Sequence, residues 1–334
     1  MMSLRSPMFR RASAVMLLAL SPLGCSLLEQ LPDDGPDEPE PAVTPTGKPH
    51  GKHHGKGKKK DDSPSPTASA TPAKTAAPSP TTTAAPNKPA SVHLTMGTPT
   101  AQDPSDDYLL VKPEFVVGYS HARNVPNWVS WNLNASYFGD APRHKGKFLP
   151  DDTLPSGWYR AQDHDYSGSG YDRGHMVRSE ERTRSPEDNL TTFHLTNVLP
   201  QYHDLNAGPW LRLEDYLQEL SQRENKELYV VAGGIFAAKP KTIGHDLAVP
   251  DATYKIVVVL SRGQGLSDVT PKTRVIAVVM PNEKGILDEP WGKYRTKVSE
   301  VEKRSRHTFL TALPDAVKKA LSDTVDDGPT GGAR

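Results

Sequence analysis

Apolar positions are spread unevenly along the 334 residues. Ahead of about residue 100 they gather chiefly in Ala12–Leu20 ("ASAVMLLAL"); beyond it they recur in short runs separated by polar and turn-forming residues. Three runs are rich in β-branched residues: Glu227–Phe236 ("ELYVVAGGIF"), Tyr254–Leu260 ("YKIVVVL") and Arg274–Met280 ("RVIAVVM"). Each is bounded by Gly, Pro or Asp, the pattern of a buried strand. "PEFVVGYS" (Pro113–Ser120) and "NWVSWNL" (Asn127–Leu133) predict two earlier strands. After Pro209 the period changes: in "WLRLEDYLQELSQREN", Trp210, Leu213, Leu217 and Leu220 form one stripe of a helix. Further helices are predicted from Ser299 to Leu310 and from Pro314 to Leu321. Strands and helices mix without regular βαβ alternation and without an internal repeat, so the fold class is α+β.

Composition divides the chain. Thirty-two prolines and only 35% hydrophobic residues point to a globular part diluted by a long polar segment. Residues 1–25 read as an export signal, with Arg5, Arg10 and Arg11 ahead of an apolar stretch too short to span a bilayer. The signal ends at "SPLGC", and Cys25 is the only cysteine, which excludes an intrachain disulfide. A small residue followed by cysteine at this place resembles the lipobox of bacterial lipoproteins, although Pro22 stands where that motif prefers Leu or Val. The resemblance implies acylation of Cys25 and a membrane anchor; the other reading is an ordinary cleaved signal. Either one sends the protein out of the cytoplasm, to the cell envelope or beyond.

Residues 26–101 are expected to be a disordered tether rich in Pro, Ala and Thr, since too few apolar residues are present to offset the entropy of ordering. Its "KPHGKHHGKGKKKDD" tract offers His50, His53, His54 and six lysines to a metal or a polyanion, or is simply a solvated stretch of tether. The folded domain is expected over 102–321, with a disordered tail at 322–334. The first hundred residues hold 11 basic and 8 acidic side chains, against 29 and 32 in the rest. The domain therefore has no overall basic field, and an anionic ligand must be held by local groups.

Two stretches could supply them. "SGYDRGHMVRS" (Ser169–Ser179) gathers two arginines and an aspartate around His175. In "FHLTNVLPQYHDLNAGPWLRLEDY" (Phe193–Tyr216), Asn206, Trp210 and Glu214 are spaced i, i+4, i+8, which would put them on one face of a helix starting near Asn206. An amide oxygen and a carboxylate together suit a hard, largely hydrated cation such as Mg²⁺. Taken alone, the pair also reads as a helix cap and a solvated glutamate.

Read together, "YDRGHM", "FHLTNVLPQ" and "LNAGPWLRLE" resemble the sugar-non-specific DNA/RNA endonucleases with a ββα-metal (His-Me finger) active site. The resemblance covers roughly residues 108 to 315 and implies a central, mostly antiparallel sheet flanked by helices. It implies that His175 is the general base and that Asn206 is the one direct protein ligand of Mg²⁺ (or Mn²⁺). Glu214 would act through the metal's water, while Arg173 and Arg143 would contact phosphate. Asp172, Gly174, Asn197 and Trp210 would support the site: Asp172 by orienting Arg173 or nearby backbone, Gly174 by letting phosphate approach. At 218 this chain has glutamine where some relatives carry arginine.

The chemistry is consistent with those roles. A neutral imidazole with a pKa near 6.5 can take a proton from water at neutral pH, and arginine clamps a phosphate bidentately. His194 and His203 fit no common metal spacing and read as structural or surface groups. The implied activity is exported hydrolysis of single- or double-stranded DNA and RNA to 5′-phosphates. The alternatives are an inactive, nuclease-like envelope lipoprotein that binds nucleic acid or another polyanion, and a tether that is itself the functional part.

Overall fold

The computed structural model describes residues 91–331. The export signal, Cys25 and most of the expected tether lie outside the described residues. The strands that position the rest are, in chain order, β1 (Tyr108–Val111), β2 (Val116–Ser120), β3 (Val125–Leu133), β4 (Asp172–His175), β5 (Val198–Gln201), β6 (Lys226–Ile235), β7 (Ala252–Ser261) and β8 (Arg274–Pro281). The helices are α1 (Pro186–Thr191), α2 (Leu211–Gln222), α3 (Val298–Ser305) and α4 (Asp315–Ser322). Six strands form one antiparallel sheet in the order β8-β7-β6-β3-β2-β1, and β4 and β5 pair apart from it as a separate antiparallel ribbon.

Alternation along β7 shows how the sheet is covered. Tyr254, Ile256, Val258 and Leu260 pack on one side with Val298 and Val301 of α3 and Leu321 of α4. Val257 faces the other side, where Leu213, Leu217 and Leu220 of α2 and Leu199 of the ribbon meet the sheet. The five predicted strands and the α2 stripe all appear within a few residues of their expected ends.

Three boundaries differ from expectation. Residues 91–101, expected in the tether, belong to the fold: Leu94 and Met96 are buried, and Thr100–Ala101 pairs with His307–Thr308. His93 accepts the Asn132 N–H (3.0 Å) on Nδ1 and donates from Nε2 to Pro113 O (2.8 Å), which pins the segment to β3. That pairing also shortens the helix expected to reach Leu310, because Arg306 turns left-handed (φ 59°) and ends α3. At the other end, residues 323–331 are placed rather than free. Asp326 is buried between Arg274 (2.8 Å) and Arg295 (3.3 Å), and the Trp291 indole donates to Thr330 O (3.0 Å). Scattered single anchors like these leave no periodic pattern in a sequence.

Candidate active site

The ribbon carries the DRGH tetrapeptide as β4, with Asp172 opposite Gln201 and His175 opposite Val198. Its partner strand β5 is the end of the "TNVLPQ" element. Asn197, fully buried, straps the turn: its Oδ1 accepts the Val177 N–H (2.9 Å), and its Nδ2 donates to Val177 O and Thr192 O (2.9 and 2.8 Å). Gly174 makes room for a protein group rather than a phosphate, because a Cβ there would collide with the Gln201 amide.

The chain leaves β5 directly into a helical lead-in that holds Asn206. The single straight helix expected from 206 to 214 is not formed. Gly208 takes non-helical angles (φ −98°, ψ −119°), the widened turn runs from Asn206 to Trp210, and α2 follows it. Pro209 has no N–H for the helical ladder, and Gly208 is pressed against a neighbouring loop, where a Cβ would lie 2.8 Å from Leu287 O. The side chains of 206 and 214 are therefore set by tertiary contacts rather than by helical phase.

Those contacts define the site. The Asn206 Nδ2 donates to Asp172 Oδ2 (3.0 Å), which turns the amide so that its carbonyl oxygen is the end left for a cation. Asp172 thus orients Asn206 rather than Arg173, and it also receives Nδ1 of the exposed His203 (2.9 Å). Arg173 is held instead by Asp163, whose carboxylate lies 2.8 Å from Nε and whose backbone oxygen accepts from Nη2 at 2.8 Å. Arg143 reaches Ser179 and Glu180 (3.0 Å to the carboxylate) across the Phe193 ring. Gln218 turns along its own helix to Gln222 (3.2 Å).

His175 sits between Phe148 and Phe193, with ring centroids 5.0 Å away in each case. The residue keeps some surface, but its Nε2 is enclosed without a hydrogen-bond partner. Burial, reinforced by the positive charge of Arg143, pushes the imidazole down to about 3 rather than the 6.5 expected. It is therefore neutral across the physiological range, with one ring nitrogen free to receive a proton. Its backbone oxygen accepts from the Trp210 indole (3.4 Å), tying the ribbon to the root of α2.

Glu214 occupies a setting the sequence did not disclose. Its Oε1 is 3.1 Å from Nζ of Lys255, a fully buried lysine in the middle of β7. The ammonium lies 4.0 Å from the Trp210 ring centroid and 5.7 Å from that of Trp131. Burial pushes the Glu214 carboxyl up, while Lys255 and Arg178 pull it back. Nearby Glu181, accepting from the Trp131 indole (2.8 Å), is pushed up to about 7 by burial. Arg178 bridges Asp215 (2.7 Å) and Glu180 (3.0 Å) at the same edge. Lys255 could have been noticed only as the one charge inside an otherwise apolar strand pattern.

Among the described residues no three His, Cys, Asp or Glu side chains gather into a metal cage. The donor on offer is one amide oxygen, oriented by the Asp172 carboxylate, which fits a hard cation that keeps most of its water, as Mg²⁺ does. It does not fit a structural zinc.

The DNA/RNA non-specific endonuclease family profile matches residues 93–316. A nuclease of Nostoc sp. is 43% identical over 242 residues, covering 71% of this chain and 87% of that one. The human mitochondrial nuclease EXOG is 33% identical over 209 residues, 59% of this chain and 55% of that protein. Among solved structures, a chain of the EndoG/EndoGI complex superposes with a TM-score of 0.57 at 25% identity, over 69% of this chain and 95% of that one. The chain therefore belongs to the DNA/RNA non-specific endonuclease family, metal-dependent hydrolases of the phosphodiester backbone, and has its ββα-metal fold.

Proposed function

We propose that the protein is an exported endonuclease that uses Mg²⁺ to cut DNA and RNA with little sequence preference, leaving 5′-phosphates. The observation that carries the reading is the Asp172–Asn206 contact. It joins the DRGH strand to the amide that would hold the ion, and it sets that amide's oxygen free. A bound divalent cation would offset charge on a non-bridging oxygen and on the departing 3′ oxygen. The neutral imidazole of His175 takes the proton of the attacking water on Nδ1, the ring nitrogen that is not enclosed. Arg173 and Arg143 are poised for the phosphate, each pre-set by a carboxylate and an aromatic ring. Glu214, fixed on Oε1 by Lys255, keeps Oε2 for the cation's water shell.

Plasmid nicking with Mg²⁺ against EDTA tests the reading. Relaxed and then linear product is expected with Mg²⁺ and none with EDTA, and equal cleavage in both would overturn it. Export and anchoring at Cys25 belong to the same proposal. Cys25→Ala is expected to move the protein from the detergent phase to the soluble fraction at unchanged specific activity. A wild-type protein already fully soluble in the medium would remove the anchor from the proposal.

A further inference from the structure

Tyr171 and Tyr202 stand at the open end of the catalytic ribbon, one step beyond the Asp172–Gln201 pair. Their rings lie against each other with centroids 4.6 Å apart and planes tilted by 39°. Both rings remain partly exposed. Lys241 reaches within 6.0 Å of the Tyr171 ring and Lys284 within 5.8 Å of the Tyr202 ring. The two lysines come from different loops, one after β6 and one after β8, and both are exposed. The arginines of the site meet carboxylates, at Glu180, Asp163 and Asp215. Lys241 and Lys284 meet ring faces instead, so their charge is open to a ligand.

The position of the pair matters as much as its chemistry. Side chains alternate along a strand, so Arg173 and His175 fall on one side of β4 about 7 Å apart, and Tyr171 stands just before the strand, two residues from Arg173. Arg173 and His175 both lie against Phe148, in agreement with that phase. A polynucleotide whose phosphate sits at Arg173 and His175 would bring a neighbouring nucleotide to the tyrosines. Burial and the adjacent Tyr202 phenol push the Tyr171 phenol up to about 12, so it stays uncharged beside a phosphodiester.

We propose that Tyr171 and Tyr202, flanked by Lys241 and Lys284, form a nucleotide subsite that stacks an unpaired base and grips its adjoining phosphates. The subsite rests on the endonuclease reading above and adds to it a preference for single-stranded or frayed segments next to the cut. Every base has a π face, so stacking of this kind selects against pairing and not for sequence. A base inside a duplex is already stacked on both sides and gains little from the platform.

The test compares a 5′-fluorescein 12-mer oligodeoxynucleotide, single-stranded or annealed to its complement, with wild type, Tyr171→Ala/Tyr202→Ala, Tyr171→Phe/Tyr202→Phe and Lys241→Ala/Lys284→Ala. Affinity is read by anisotropy in EDTA, and KM and kcat are read with Mg²⁺. The alanine pair is expected to weaken single-strand binding about 10-fold or more, at least five times its effect on the duplex, through KM and not kcat. The phenylalanine pair keeps the rings and should restore single-strand affinity. The lysine pair should weaken both substrates and flatten the salt dependence. Equal effects of the tyrosine pair on both substrates, or no effect on either, would overturn the subsite. Wild type that fails to cleave either oligonucleotide would instead overturn the endonuclease reading, and the anisotropy arm would still decide whether the platform binds.

Discussion

On one side of the central sheet, β7 offers Tyr254, Ile256, Val258 and Leu260 to α3, α4 and the Phe309 ring, an apolar packing. On the other side the same strand offers Lys255, which is enclosed with Glu214 and the two indoles of Trp131 and Trp210. One strand thus carries a conventional core on one face and a buried ion pair on the other. Enclosing two charges is costly unless they are paired well, and an apolar pair of similar size is often as stable. The difference between the faces shows where the fold gives up stability to fix a carboxylate, and that place is the root of the helix bearing the site.

The contrast can be broken in several ways. The largest expected effect is on turnover. His175→Ala should lower kcat by roughly 10²-fold or more, a loss measured on folded protein, because removing the ring from between Phe148 and Phe193 also costs some stability. Near wild-type cleavage by the purified variant would withdraw the base assignment.

Lys255→Met tests the buried pair. It strands a carboxylate in the interior and should destabilise the fold by about 3–5 kcal/mol, read by urea denaturation. Adding Glu214→Leu should restore most of that stability and none of the activity. If Lys255→Met alone is as stable as wild type, the pair is not enclosed as described.

Phe309→Ala, on the apolar face, should cost about 3–5 kcal/mol from the cavity it leaves, yet leave kcat of the folded enzyme unchanged. A specific loss of kcat there would mean that the two faces are not separable.

The smallest effect is a slope. His175 and His93 are pushed down to about 3 and about 4, in each case first by burial. Both are neutral in the fold and protonate more readily unfolded. The stability they contribute is therefore full above about pH 6.5 and is lost as pH falls toward their folded values, at up to about 1.4 kcal/mol per pH unit for each. Glu181, pushed up to about 7, acts in the opposite sense: its contribution is full below the unfolded value and is lost as pH rises through 7. Unfolding free energy measured from pH 7 to 4 should fall less steeply in His175→Ala than in wild type. Equal slopes would place the imidazole in solvent.

The contrast between the faces also explains what could be read from the chain. β-branched runs and the Trp210–Leu220 stripe reveal the sheet and α2, because periodic burial leaves a periodic pattern. The DRGH strand and Asn206 are legible as a motif, yet their geometry is not. Helical spacing suggested that 206 and 214 share a face, whereas Gly208 and Pro209 break the helix between them and Asp172 orients the amide. Lys255 shows in "YKIVVVL" only as a single charge in an apolar run, with nothing to mark its partner 41 residues away. The segments at 91–101 and 322–331 are held by isolated pairings, which composition averages away.

The most direct test of the account is a Mg²⁺ titration of cleavage rate for wild type, Asn206→Ala, Asn206→Asp and Glu214→Gln. With Asn206 as the one side chain that touches the ion, Asn206→Ala should lose activity severely at every Mg²⁺ concentration. Asn206→Asp should keep an oxygen ligand but set a charge against the phosphate. Glu214→Gln, acting through water, should lose about 10–100-fold. Should Glu214→Gln prove more damaging than Asn206→Ala, the carboxylate holds the metal and the assignment of Asn206 is wrong.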